Sequence, residues 1–222
     1  MDTKPLTIKT IFGQERRHLV PLFQRPYVWT QADQWAPLWE DICGLAEKIA
    51  AKKPEIRPHF FGAIVLDQLR NPTGHVETRL VIDGQQRLTT VQLLLEAFCD
   101  FCKETEADKH FRSLYKLTRN DDPMSVDSDE QYKVWPTNVD QEHFRRVMEA
   151  GSPEELRMLY GAKSGSNTGH AIADGYLFFY EAVASWVAPK TEGLEVRLNA
   201  LYAAVHDYIR IVVIDLDEKD DA

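Results

Sequence analysis

Leu80-Val81-Ile82-Asp83-Gly84-Gln85-Gln86-Arg87-Leu88-Thr89-Thr90 passes from a strand pattern into a helical one within a single turn. Behind Arg87, the residues Leu88, Val91, Leu94, Leu95 and Phe98 recur at helical spacing, which predicts a helix with one apolar face. The chain therefore turns at Asp83-Gly84 and delivers Gln85, Gln86 and Arg87 to a helix N-terminus. Unpaired backbone N–H groups and the positive end of the helix dipole meet there and favour an anion. Arg87 adds a planar, permanently charged fork suited to phosphate oxygens. Gly84, lacking a Cβ, allows close approach to the backbone. The stretch reads as a phosphate-binding turn. A plainer reading uses the same residues: Asp83 caps the helix, Gly84 serves the turn, and Arg87 pairs with an acid. Residue chemistry alone leaves both open.

Working outward, Phe60 to Leu66 is a near-continuous apolar run, read as a strand buried on both faces. Asn71-Pro72-Thr73-Gly74 reads as a hairpin turn into Val76 to Ile82, so these two strands should pair antiparallel. Upstream, Pro21 and Pro26 hold Leu19 to Phe23 and its continuation extended. Trp35, Leu38, Trp39, Ile42, Leu45 and Ile49 then outline an amphipathic helix, with Thr30 or Asp33 as its cap. Ile8 to Phe12 fits a short strand or a helical turn.

Downstream, residues 103–131 turn polar and charged, and Leu114 to Leu117 and Tyr132 to Trp135 read as two strands joined by an acidic loop. From Asp140 the pattern is helical. One segment spans Asp140 to Met148, and Ser152-Pro153-Glu154-Glu155 opens a second as a capping box. Ile172 to Trp186 makes a third, and a fourth starts at Thr191 with Leu194, Leu198, Leu201 and Val205 inward. Ile209 to Leu216 is a last strand before an acidic tail. The expected fold is α+β: a small, largely antiparallel sheet around the signature helix, followed by a mainly helical C-terminal half. Its expected parts are 1–102, a core that holds the phosphate-binding turn; 103–139, an acidic loop and hairpin; and 140–222, helices with a returning strand.

The 222 residues are 44% hydrophobic and suffice for a sizeable core. With 35 acidic against 26 basic side chains and a net charge of -9, the chain is not a general DNA-coating protein. Nucleic acid would need a local patch, and the region of Lys4, Lys9, Arg16, Arg17 and Arg25 is the most basic. No apolar stretch is long enough to span a membrane, and no signal peptide opens the chain, so a cytoplasmic protein is expected. Cys99-Asp100-Phe101-Cys102 has C-x-x-C spacing but lacks a second pair of ligands, so no metal site is expected.

Asp83-Gly84-Gln85-Gln86-Arg87-Leu88-Thr89-Thr90 resembles the signature of the N-terminal domain of GmrSD-type modification-dependent restriction enzymes. That family includes the phosphorothioate-sensing SspE proteins and has a core similar to the ParB/sulfiredoxin fold. Val20-Pro21-Leu22-Phe23-Gln24-Arg25-Pro26-Tyr27-Val28-Trp29 resembles the family's Pro-x-x-Gln-Arg-x-Tyr-x-Trp segment. His59 to Leu66, Trp135-Pro136-Thr137-Asn138 with Asp140, and Ile211 to Leu216 match later landmarks in the right order.

The resemblance implies an antiviral restriction protein of the cytoplasm that binds and hydrolyses a nucleoside triphosphate such as GTP, taken with Mg²⁺. It would sense modified double-stranded DNA, phosphorothioated or glucosylated, and act with a C-terminal HNH nuclease domain or subunit. In that family the chain continues past this last strand, so an N-terminal part of a longer protein is expected; no nuclease pattern is visible here. Asp83 and Arg87 are the candidate catalytic residues. Gln24, Arg25, Gly84, Gln85, Gln86, Thr89 and Thr90 would bind nucleotide, while Arg25, Tyr27 and Trp29 would contact DNA. Asp83 would orient the attacking water or hold Mg²⁺ through water, and His59 is a further acid or base candidate. The alternative is a noncatalytic module that reads modified DNA at the same residues and regulates a nuclease. A degenerate scaffold places no demand on an intact Asp-Gly-Gln-Gln-Arg.

Overall fold

The computed structural model describes residues 2–70, 75–120, 128–163, 166–188 and 193–216. β1 (Asp2–Thr7) leads into α1 (Ile8–Phe12), whose first turn is capped by the Thr7 hydroxyl accepting from Thr10 N. β2 (Arg16–Leu19) follows, and a wide helical turn at Gln31–Trp35 runs into α2 (Ala36–Ala50). Thr30 rather than Asp33 caps that turn, its hydroxyl accepting from Asp33 N. Pro37 falls in the first turn of α2, where no helical N–H partner is needed.

β3 (His59–Gln68) and β4 (Glu77–Asp83) pair antiparallel as the sequence predicts; the turn at 71–74 lies outside the described residues. Then come α3 (Gln85–Glu104), α4 (Asp108–Thr118), β5 (Val134–Trp135), α5 (Asn138–Ala150) and α6 (Pro153–Leu159). The Ser152 hydroxyl caps α6 by accepting from Glu155 N. α7 (Ala171–Val187), α8 (Leu194–Ala203) and β6 (Ile209–Leu216) complete the chain; the expected start at Thr191 and the acidic tail past residue 216 lie outside the described residues.

The architecture is α+β, with one six-stranded sheet in the order β1-β6-β3-β4-β2-β5. It is mixed rather than largely antiparallel: β3 with β6, β2 with β4 and β2 with β5 are parallel pairs. Hairpin reasoning found only the local pair, β3 with β4, because parallel partners need distant chain segments. β3 is also not buried on both faces. Ile64 and Leu66 are buried, whereas Phe60 is exposed. Leu114 to Leu117 is helical: His110, Leu114 and Leu117 share the buried face of α4. An antiparallel bridge between Arg119 and Tyr132 is what joins the two flanks of the acidic loop.

α3 is the centre of the molecule. The sheet residues Ile64, Leu66 and Val81 belong to the same core, and α4 and α7 pack along the helix. The sequence predicts one apolar face, but every residue from Gln85 to Cys102 is buried except Arg87. Gln92, Glu96 and Asp100 are therefore inside the protein and need partners.

Candidate functional site

Gly84 begins α3 in a left-handed conformation, φ 90° and ψ 14°, with no side-chain cap. Asp83 therefore does not cap the helix. A Cβ on Gly84 would stand 2.5 Å from Ile64 Cγ2 and 3.0 Å from the Ala63 carbonyl oxygen. The close approach that Gly84 permits is that of its own sheet, not of a ligand.

Arg87 is half-buried and donates from Nη1 to the Ala63 carbonyl at 3.1 Å. Its guanidinium lies across Gly62, where a Cβ would come within 2.6 Å of Nε. Gly62 sits at φ +91°, in the irregular stretch of β3 between Phe60 and Ala63. This residue was missed, although a glycine inside a strand pattern is itself a sign of close backbone approach. Among the described residues Arg87 has no carboxylate partner, unlike Arg16, Arg79, Arg119, Arg145, Arg146 and Arg157. The plain salt-bridge reading of Arg87 thus finds no acid.

The two amides of the signature hold the strip before α2 against the start of α3. Gln85 Nε2 donates to the Arg25 carbonyl at 2.9 Å, and Gln86 Nε2 donates to the Pro26 carbonyl at 3.0 Å. Val28 N donates to Gln86 Oε1 at 2.9 Å, and Gln24 Nε2 donates to the Ile82 carbonyl at 2.9 Å. Below them, the Tyr27 and Thr90 hydroxyls are 2.6 Å apart; Thr90 donates to the Gln86 carbonyl and Trp35 Nε1 donates to the Tyr27 oxygen. Tyr27 N donates to Asp140 Oδ2 at 2.8 Å, and Thr137 Oγ1 donates to the same oxygen. The later landmark around Asp140 is thus a clamp on the strip. Sequence reasoning gave it no role.

These bonds correct several expected roles. Gln85, Gln86 and Thr90 are buried with hydrogen bonds inside the fold, and Thr89 is buried beside them, so these side chains face inward rather than an open pocket. Tyr27 is 6% exposed and packed into the core, which removes it as a platform for a base; burial holds its hydroxyl pKa well above the ordinary phenol value. Trp29 is half-buried, edge-on to Phe61 with ring centroids 5.8 Å apart. His59 Nδ1 stands 3.3 Å from Asp41 Oδ2 and serves a surface pair. Of the expected DNA-facing cations, Arg16 pairs with Glu77 and Arg17 is buried over the Trp135 ring.

Three charged groups of the signature region are left accessible. Asp83 and Arg25 are exposed and have no ionic partner among the described residues, and Arg87 keeps most of its fork free. Arg25 follows Gln24, whose Oε1 lies 3.4 Å from Gln85 Nε2, so the strip and the signature turn share one edge of the domain. Among the described residues no group of three or more His, Cys, Asp or Glu side chains is placed to hold a metal ion. Cys99 and Cys102 are buried thiols, and burial pushes the Cys102 pKa up to about 12, far from a ligating thiolate. No described helix is long and apolar enough to cross a membrane.

The far half of α3 carries a different cluster. Arg119 donates to both Glu96 oxygens at 2.7 and 2.8 Å and lies over the Tyr115 and Tyr132 rings. One turn along, Asp100 accepts from the Tyr176 hydroxyl at 2.7 Å. Burial, with the Glu96 charge adding to it, pushes the Asp100 pKa up to about 7. His18, a buried residue of β2, has its pKa lowered to about 4 by burial, against the bond between its Nδ1 and the Lys133 carbonyl.

No curated protein matches this chain closely enough to count as a relative. Comparison with known protein families matches residues 8–222, from α1 to beyond β6, to the N-terminal domain of the GmrSD restriction endonuclease. With nearly its whole length matched, including the signature turn, the strip and the Asp140 clamp, the chain belongs to the GmrSD restriction endonuclease N-terminal domain family and is a domain of a restriction system.

Proposed function

We propose that this domain binds and hydrolyses a nucleoside triphosphate and couples that event to sensing modified double-stranded DNA on behalf of a nuclease domain or subunit. Arg87 carries the reading. It is the one residue of α3 between 85 and 102 that is not buried, it is held at an uncapped helix N-terminus, and it has no acid beside it among the described residues. A fixed guanidinium at the positive end of a helix is electrostatically unfavourable without an anion. Phosphate oxygens would take the fork of Arg87 and the first-turn N–H groups of α3, with Arg25 as a second cation from the strip. Arg87 would then neutralise the charge that builds up in phosphoryl transfer. Asp83 is the carboxylate at hand to orient water, and Mg²⁺, carried by the nucleotide's own phosphates, would be held to Asp83 through water. A ParB/sulfiredoxin-like core and action in the cytoplasm belong to the same reading.

The test is phosphate release from each nucleoside triphosphate, GTP included, with and without phosphorothioated or glucosylated duplexes. Wild-type protein should bind nucleotide and release phosphate; Arg87→Ala should lose both while staying folded. Arg87→Lys should rescue poorly, since an ammonium cannot reproduce the bidentate fork. Wild-type protein that binds no nucleotide overturns the proposal. DNA binding without phosphate release would leave the noncatalytic reader, a reading supported by the burial of Gln85, Gln86, Thr89 and Thr90.

A further inference from the structure

The end of α2, like that of α3, puts a non-glycine residue at the left-handed position of its stop. Lys53 N donates to the Lys48 carbonyl at 3.0 Å, and Lys52 N donates to the Ile49 carbonyl at 2.9 Å. This pair of bonds defines a helix stop whose left-handed position normally holds glycine. Here that position is Lys52, at φ 51°. A side chain in this conformation is disfavoured by contact between Cβ and the backbone, so the lysine is present despite a local cost. Pro54 follows and ends the helix direction.

Lys48, Lys52, Lys53 and Arg57 are all exposed, and none has an ionic partner among the described residues. Lysines near a helix C-terminus are favourable to the helix dipole, which accounts for Lys48. The same left-handed position at the end of α3 holds Glu106, so the conformation does not itself select lysine, and the dipole does not reach Arg57 farther along. Lys48, Lys53, Pro54 and Glu55 line an open depression of about 340 Å³. No large apolar side chain is exposed between residues 47 and 58, although such side chains are exposed elsewhere. The surface thus lacks the aromatic or aliphatic anchor of a protein interface or a membrane contact. What it presents to solvent is mainly charge, Lys48, Lys52, Lys53 and Arg57 against Glu47 and Glu55, on a protein of net charge -9.

We propose that this turn is a docking point for the phosphate backbone of duplex DNA, contacted by Lys48, Lys52, Lys53 and Arg57. Such contacts position a duplex without reading its sequence. The chain leaves Arg57 directly into β3, whose Gly62 and Ala63 lie under Arg87. Ala63 lies six positions after Arg57, at most about 22 Å of extended chain. One turn of DNA is about 34 Å long, so a duplex resting on these lysines can also reach the signature edge.

The proposal rests on the DNA-sensing part of the function given above. It is tested on the whole domain with a fluorescently labelled duplex, with affinity followed as a function of sodium chloride. The triple variant Lys48→Glu, Lys52→Glu, Lys53→Glu should bind at least about tenfold more weakly and reduce the slope of log affinity against log salt by about 2 to 3. Its phosphate release without DNA should match wild type. Lys52→Gly should melt at a higher temperature yet bind DNA more weakly, which a purely structural lysine would not do. Glu55→Gln should tighten binding by removing a carboxylate from the depression. A triple variant with unchanged affinity and salt slope overturns the docking point and leaves DNA sensing intact. Wild-type protein that binds no duplex overturns both.

Discussion

The two ends of α3 solve the same problem in opposite ways. At its start the bonded polar groups are neutral: the Gln85 and Gln86 amides meet backbone groups of the strip, and the Thr90 hydroxyl meets the Gln86 carbonyl and the Tyr27 hydroxyl. In its second half they are carboxyl groups, Glu96 paired with Arg119 and Asp100 bonded to the Tyr176 hydroxyl. Neutral hydrogen bonds bury cheaply and leave the local charge untouched. Buried ions must be compensated on the spot. The contrast separates two arginines near one helix: Arg119 is consumed by a bidentate carboxylate and two aromatic rings, while Arg87 makes one bond to a carbonyl. The first is scaffold. The second is available to a ligand.

The comparison breaks most visibly at the charged end. Arg119→Met should cost about 3–5 kcal/mol of stability, read by urea unfolding, because it leaves Glu96 buried without its counter-charge. A loss below about 1 kcal/mol would mean that Glu96 is protonated or hydrated and the network is not ionic. The pH dependence sharpens this. Asp100 ionises near 3.8 in the unfolded chain and near 7 in the fold, so between these values the folded state retains a proton the unfolded state has lost. Stability from this group therefore falls as pH rises through that window. Asp100→Asn, which cannot ionise, should remove the fall and gain most over wild type above pH 7. His18 acts in the other direction, losing stability as pH drops from 6.5 toward 4, so the Asp100 effect is cleanest on the alkaline side.

At the neutral end, Gln86→Leu should cost about 2–3 kcal/mol, since it strands the Pro26 carbonyl and Val28 N–H together. Amide exchange at Tyr27 and Val28 should speed up while that at Glu96 stays slow. Uniform acceleration would mean that the strip is not a separable unit. The smallest stability effect belongs to Arg87→Ala, within about 0.5 kcal/mol of wild type by the same unfolding assay. A larger loss would move Arg87 to the scaffold side of the comparison and weaken the proposed site.

Much of the fold was legible in local patterns. The last strand, the Ser152 cap and the helices α2, α5 and α7 follow from periodicity and capping residues that act within a few positions. β1 was not legible: Asp2–Thr7 has weak alternation and is a strand because residues 210–215 lie beside it. Leu114 and Leu117 sit three apart within a short polar segment, and only their packing in α4 decides for helix. At the candidate site, the sequence shows a cluster of polar residues but not which of them bond to one another. Asp-Gly-Gln-Gln-Arg is rich in hydrogen-bonding groups, and a sequence does not show which backbone carbonyls need those donors. Once the Arg25, Pro26 and Ile82 carbonyls claim the amides, the charged groups left accessible are Arg25, Asp83 and Arg87.

β6 enters the sheet last and yet occupies an interior place, antiparallel to β1 on one side and parallel to β3 on the other. During synthesis, both of those strands lie without this partner until residues 209–216 have left the ribosome. Pairing between positions so far apart in sequence, Asp2 with Asp215 at the extreme, is slow to nucleate. In the interval the open strand edges can recruit other chains, so expression at low temperature or with a holdase should raise the soluble yield. β3 is one of the strands left waiting, and it carries Gly62 and Ala63. Arg87 therefore gains its seat only at the end of folding, and a nascent chain cannot hold it in place early.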